Sequence, residues 1–216
     1  MDEKIIPMND EALRLHLGCG FTHHPGWVNI DAVASFQPDV LHDVSQPLPY
    51  DDLSVDEILA EDILEHFDKY QRYVVFYDWS RVLKIGGCIT LQVPNFKKIL
   101  FRYFKFGYDN FVDFIFGENL LAAKHYIGHY GNHKWGYSRD TLKDFVKVFG
   151  IETTDITEKG LNIRLVGKKQ KHVRLSELDE IAIPSVANRS GEGQPEVSLQ
   201  YARKKIQEFS AAQPKP

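Results

Sequence analysis

The sequence predicts an α/β protein built on a mainly parallel sheet, and three observations carry that prediction. First, an apolar alternation at Leu13, Leu15 and Leu17 breaks at Gly18-Cys19-Gly20, resumes as Trp27-Val28-Asn29-Ile30 and stops on Asp31. That reads as a strand, a glycine turn and a second strand ending in a carboxylate. Second, strand and helix signals alternate as far as Val93, as they do where crossovers join parallel strands. Third, only Glu158-Lys159-Gly160 separates the strand signals of Ile151–Thr157 and Leu161–Val166. That is hairpin spacing, so the sheet is expected to end in an antiparallel strand.

The elements follow in order. Residues 1–10 read as a flexible lead-in to the first strand. Between Gly20 and the second strand lie only Phe21-Thr22-His23-His24-Pro25-Gly26, too few for a crossover helix. A single turn or an irregular connection is expected there. Pro38–Asp43 is a short third strand, again ending in Asp. Pro47-Leu48-Pro49-Tyr50 is a rigid extended segment that cannot be helical, and Asp51–Ser54 is a turn. Val55–Ala60 is the fourth strand, with Glu61 and Asp62 at its end. A helix is then expected from about Ile63 to Lys84, because Ile63, Leu64, Phe67, Tyr70, Val74, Tyr77 and Val82 recur at helical spacing. Arg81 and Lys84 would suit its last turn, and Gly86-Gly87 would stop it.

Cys88–Val93 reads as a buried strand stopped by Pro94. Residues 95–136 are dense in Phe, Tyr and Gly, and read as an insertion of short helices and loops over the end of the sheet. It is either a satellite hydrophobic cluster or a lid over an acceptor pocket. Ser138 is placed to cap a helix carrying Leu142, Phe145, Val146 and Phe149, with Gly150 as its stop. After Lys168 the composition turns polar. Residues 1–170 are therefore read as the domain, and 171–216 as a polar tail with a short helix possible at Val197–Phe209.

Length and composition limit the function classes. A chain of 216 residues, 43% hydrophobic and 26% charged, is large enough for one full core. A net charge of -4 argues against nucleic acid as the main partner. No apolar run would cross a bilayer, and the charged start Met1-Asp2-Glu3-Lys4 leads into no apolar stretch of a signal peptide. The expectation is a cytoplasmic protein without membrane contact, of open oligomeric state, acting on a small molecule. Cys19 and Cys88 are neither a metal pair nor a disulfide framework.

The opening unit is the first half of a nucleotide-binding crevice: glycines let backbone approach a ligand, and the acid at the second strand's end accepts ribose hydroxyls. The competing reading is a tight turn with a solvent-facing Asp31. A dinucleotide dehydrogenase is disfavoured, because position 23 is His where the third fingerprint glycine belongs. His125, His129 and His133 recur every four residues, a spacing that would align three ligands on a helix. Gly128 and Gly131 interrupt it and no carboxylate completes the set, so no metal is expected.

A resemblance adds to this reading. Leu15-His16-Leu17-Gly18-Cys19-Gly20, Gly26–Asp31, His42-Asp43-Val44 with Pro47–Tyr50, Leu64–Phe67, Arg81–Gly87, Val93–Phe96 and His133–Tyr137 occur in that order. Together they resemble the class I S-adenosylmethionine-dependent methyltransferases, over roughly residues 13–167. The nearest likeness is a small bacterial branch found among sugar and cell-surface biosynthesis enzymes. The resemblance implies a Rossmann-like, seven-stranded sheet with S-adenosylmethionine as cofactor and a sugar or nucleotide-sugar as acceptor. It also implies roles. Gly18, Cys19 and Gly20 would lie against the methionine part, and Asp31 would hold the ribose. Asp43 and the Val44 amide would meet the adenine, while Glu61 and Asp62 would face the sulfonium side. His16 stands where the family often has an acid, and no third glycine follows Gly20. An alcohol acceptor needs a base, for which His133, His66 and Glu65 are the candidates. For Glu65 and His66 the alternative is surface polarity at a helix start. For the whole chain the alternative is a catalytically silent binding module of the same fold.

Overall fold

A computed structural model describes residues 12–106 and 131–174, together with Glu177, Lys204 and Glu208. Its centre is one seven-stranded sheet. The strands are β1 (Arg14–Leu17), β2 (Val28–Asp31), β3 (Val40–Leu41), β4 (Val55–Glu61), β5 (Leu83–Pro94), β6 (Ile151–Lys159) and β7 (Asn162–Lys169). Their order across the sheet is β3-β2-β1-β4-β5-β7-β6. Pairs from β3 to β5 are parallel. The last strand in sequence, β7, runs antiparallel to both its neighbours, β5 and β6. The hairpin and the final antiparallel strand thus follow the sequence prediction, with β7 lying one place in from the edge. No described helix is long and apolar enough to cross a membrane.

Among the described residues three α-helices accompany the sheet: α1 (Gln71–Val82), α2 (Phe96–Phe106) and α3 (Arg139–Val148). The helix predicted over Ile63–Lys84 is shorter than expected and broken. Leu64–His66 forms a single 3₁₀ turn, Phe67 is extended, and α1 starts only at Gln71. The cause is Asp68, whose Oδ1 accepts from the Tyr70 and Gln71 amides at 2.8 and 2.7 Å. A carboxylate that satisfies the orphan amides of a first turn fixes the helix start. The predicted glycine stop is displaced too. Leu83 is already extended, and Gly86-Gly87 lie within β5. There β5 advances from Leu83 to Cys88 while β4 advances only from Val55 to Glu57. A Cβ on Gly87 would sit 2.9 Å from the Asp56 carbonyl oxygen, so the bulge needs glycine.

α1 is buried along nearly its whole length. Trp79 and Phe76 pack with Phe145 and Phe149 of the α3 region, against Leu15, Leu17, Ile58, Ile89, Leu91 and Leu165 of the strands. α3 is capped by Ser138, as its sequence predicts, and Thr141 completes a reciprocal box that the sequence reading did not include. The opposite face of the strands differs. Cys88 is exposed and Glu57, Thr90, Gln92 and Arg164 are only half-buried. Cys88–Val93 is therefore buried on one face, not throughout, because among the described residues the helical core covers a single side.

Two buried charges tie α1 to its surroundings. Asp78 accepts the Leu48 amide at 2.6 Å and pairs with Arg81 at 2.7 Å. Arg81 donates to the Leu48 and Tyr50 carbonyls and to Asp52. Arg81 therefore acts on a loop, where the sequence reading placed it on the helix dipole. Trp79 Nε1 donates to the Val44 carbonyl at 3.1 Å. The rigid Pro47–Tyr50 segment is thus clamped against α1. At the same C-terminal end of the helix, the buried Lys169 ammonium donates to the Ser80 and Leu83 carbonyls.

Candidate functional site

The glycine turn and the acid share one side of the sheet. Gly18 and Gly20 both have positive φ, 66° and 52°. The bend they make carries the Gly20 amide to Asp31 Oδ2, 2.9 Å away. Asp31 Oδ1 accepts the Val33 amide, also at 2.9 Å. The side chain is 8% exposed, so the solvent-facing reading of Asp31 does not hold. Each carboxylate oxygen retains a second lone pair for an outside donor. A Cβ on Gly20 would meet nothing within 4 Å, whereas one on Gly18 would strike Ile63 at 2.8 Å. Gly20 borders open space, and Gly18 is where β1's loop touches the end of β4.

The connection from β1 to β2 contains turns and no helix, in agreement with its length. Cys19 is buried, and burial, assisted by the Asp31 and Asp39 charges, pushes its thiol up to about 12. The segment after β3 is joined to Asp31 through its backbone, the His42 amide donating to the Asp31 carbonyl at 2.9 Å. Asp43 folds back on its own turn, accepting the Ser45 amide, and Val44 is held by Trp79.

His16 is 1% exposed and points to the polar side, with Nδ1 3.3 Å from Asn29 Oδ1 and its ring 4.8 Å from that of His24. Burial lowers its pKa, the Asn29 bond opposing. Glu61 meets the same group. It accepts from Arg164 at 2.8 Å and lies 3.9 Å from His24 Nε2. Asp62 turns away in a left-handed conformation, φ 53°, and accepts from Gln92 and Asn162. His24, Asn29, Gln92, Asn162 and Arg164 were not anticipated from the sequence. His24 lies inside the marked turn and Asn29 in the second strand, but the β7 residues reach Glu61 and Asp62 only through cross-strand register.

The three proton-transfer candidates are brought together. His66 Nε2 is 3.1 Å from the Asp62 carbonyl and Nδ1 is 3.0 Å from the Asn132 carbonyl. The His66 and His133 rings are 5.0 Å apart, and His133 Nε2 is 3.8 Å from Glu65 Oε1. Glu65 is 1% exposed, so the surface-polarity alternative fails for it. Its backbone carbonyl accepts the Lys134 and Trp135 amides at 2.8 and 3.0 Å, which holds the His133 segment alongside. Arg72 secures that segment from α1, its guanidinium 4.2 Å from the Trp135 ring centroid. Burial, with the Asp62 charge adding to it, pushes the Glu65 carboxyl well above the usual range. Burial also takes the His66 imidazole down to about 4. His125, His129 and most of the aromatic insertion and polar tail lie outside the described residues.

No family model matches the chain, and no curated protein matches it in sequence. Solved structures do match. The Haloferax volcanii methyltransferase solved in complex with the Trm112 methyltransferase activator aligns with a TM-score of 0.54 at 13% identity, covering 79% of this chain and 87% of that one. An S-adenosylmethionine-dependent methyltransferase from Methanosarcina mazei gives 0.52 at 14% identity, over 75% and 94% of the two chains. The Burkholderia thailandensis 1,6-didemethyltoxoflavin-N1-methyltransferase, with bound 1,6-didemethyltoxoflavin and S-adenosylhomocysteine, gives 0.50 at 12% identity, over 74% and 72%. The fold is that of the class I S-adenosylmethionine-dependent methyltransferases. In this strand order the sheet reverses between β1 and β4, and open α/β sheets bind ligands outside the carboxyl ends of the strands at such a point. The Gly18–Gly20 bend, Asp31, the Asp43-Val44 turn and the Glu65–His66–His133 group all border that edge through the contacts just described.

Proposed function

We propose that this protein transfers a methyl group from S-adenosylmethionine to a hydroxyl of a small-molecule acceptor, a sugar or nucleotide-sugar being the class the sequence resemblance favours. The observation that carries the reading is the Gly20–Asp31 contact, which puts the bend and the acid on one hollow with acceptor capacity left on both carboxylate oxygens. The residues fit the cofactor: Gly20 leaves backbone exposed to open space, and the loop bearing Val44 is clamped in place. Asp31 would hold the ribose hydroxyls and Asp43 the adenine amino group. Gly18, Cys19 and Gly20 would lie along the methionine, with His16, Glu61 and Asp62 beyond it.

Bound there, the cofactor supplies a methyl carbon that is already electrophilic. The protein's remaining work is alignment and removal of one proton. Neutral His66 is a weak base at about 4. His133, partly accessible and facing the Glu65 carboxyl, is the better acceptor for a hydroxyl proton. Glu65, beside it, would position the ring. α2, whose Phe101 and Phe104 remain exposed, is read as the described part of a lid over the acceptor. Calorimetry with S-adenosylmethionine and S-adenosylhomocysteine, followed by an acceptor screen, tests this. Binding with turnover supports the enzyme, binding without turnover favours the silent module, and no binding removes the reading. With an identified acceptor, His133→Ala is expected to lower turnover; unchanged turnover would remove His133 from the mechanism.

A further inference from the structure

We propose that Glu65, His66 and His133 form a site for one divalent transition-metal ion of the zinc type. A ring nitrogen from each histidine and a Glu65 carboxylate oxygen lie within 4.8 Å of one another. Two imidazoles and a carboxylate are a ligand set that zinc and ferrous iron take, and three protein ligands leave a position open.

The first argument is charge. Among the described residues neither Glu65 oxygen accepts a hydrogen bond, although the residue is 1% exposed. A buried carboxylate in that condition must take up a proton or a cation. A proton would satisfy one carboxylate oxygen only, whereas a cation would engage the carboxylate and the two imidazoles beside it.

The second argument is the His66 ring. Both its nitrogens lie within hydrogen-bond reach of a backbone carbonyl, Asn132 on one side and Asp62 on the other. A neutral imidazole has one N–H. One nitrogen donates to its carbonyl, and the other directs a lone pair at an oxygen. A cation held by that second nitrogen, to one side of the N···O line, would face the negative end of the carbonyl dipole and turn the repulsion into attraction, while the remaining N–H···O=C bond orients the ring as ligating histidines usually are. Glu65's carbonyl, bonded to the Lys134 and Trp135 amides, fixes His133 in place beforehand.

These ligands differ from the His125–His129–His133 spacing that the sequence suggested and discounted. His133 is shared, but its partners come from the turn after β4. The half-buried histidines leave the open position accessible, so an acceptor hydroxyl could bind there and lose its proton more readily; in the metal-loaded protein His133 would then serve as a ligand, and the ion would take over its part in deprotonation. That last role rests on the methyl-transfer reading, whereas the ion's binding does not.

The test uses the full chain. Metal content is measured as purified, and the chelator-treated protein is titrated with zinc and with cobalt(II). The expected result is about one ion per chain, visible d–d bands for cobalt, and zinc affinity reduced by roughly 100-fold or more in Glu65→Gln and in His133→Ala. His24→Ala, which alters the neighbouring His16–His24–Glu61 cluster, should bind zinc like the parent. No stoichiometric ion, equal affinity in both ligand variants, or loss only in His24→Ala would overturn the site. His133 is only partly buried, so His133→Ala keeps the test decisive should Glu65→Gln fail to fold. Titrating the same samples with S-adenosylhomocysteine separates the two claims. Binding of that ligand without zinc uptake sinks the metal site alone, and zinc uptake without it supports the site while removing the methyl-transfer reading.

Discussion

Asp31 Oδ2 accepts the Gly20 amide at 2.9 Å, across eleven positions of sequence. With the Val33 amide on Oδ1, this one side chain shapes the hollow on two sides. Asp31→Ala would orphan two part-buried amides at about 1–3 kcal/mol each. Urea unfolding should therefore show a clear loss of stability, and calorimetry a loss of S-adenosylhomocysteine binding. Parent-like binding in a folded Asp31→Ala protein would refute the role.

The Asp78–Arg81 pair should be costly to break from one side. Asp78→Ala leaves the buried Arg81 Nε–H and the Leu48 amide without partners. The expected cost is about 3–5 kcal/mol, and an apolar replacement of both partners should recover part of it. Because Arg81 also holds the Leu48 and Tyr50 carbonyls, cofactor affinity should fall in Asp78→Ala as the loop loosens. A double-mutant cycle on stability, with a binding titration for each variant, checks both statements.

The two thiols should react very differently. Cys88 is exposed, while Cys19 is buried and its thiol is pushed up to about 12. Ellman's reagent near neutral pH is expected to label one thiol rapidly and the second only after denaturation. Cys88→Ser should abolish the fast phase. Two fast phases in the native protein would contradict the burial of Cys19.

Lys169 gives stability a pH dependence with a definite sign. Desolvation holds its ammonium down to about 8, with the Asp52 charge opposing. The unfolded chain keeps that proton up to roughly 10.4. Between those values the unfolded state binds more protons, so Lys169 makes stability rise with pH in that window; below about 8 its contribution is flat. Lys169→Met should remove the rise. Urea midpoints of parent and variant at several pH values across the window measure it, and parallel curves would disprove it.

What was legible in the sequence was local. Ser138 announces the start of α3, and Glu158-Lys159-Gly160 announces the hairpin. The acid-ended second strand pointed to the Asp31 contact. The break before α1 carried a signal, Asp68 three residues ahead of Gln71, that a strong apolar period concealed. Other features had no local signature. Arg164 reaches Glu61 across 103 positions, and only the antiparallel placement of β7 beside β5 makes that contact. Glu65 and His133 meet because the Glu65 carbonyl binds the Lys134 and Trp135 amides. The one-sided core is likewise a property of the packed sheet, since each strand shows only alternation.

The wall between β1 and β2 is a stretch of turns, held in shape by hydrogen bonds to Asp31 and Asn29. If Asp31 holds the cofactor as proposed, thermal hardiness and ligand grip reside in the same few atoms there. Sequence drift in this wall would alter both traits together, and selection for a tougher chain would have to act elsewhere, for example along the outer edge at Thr154.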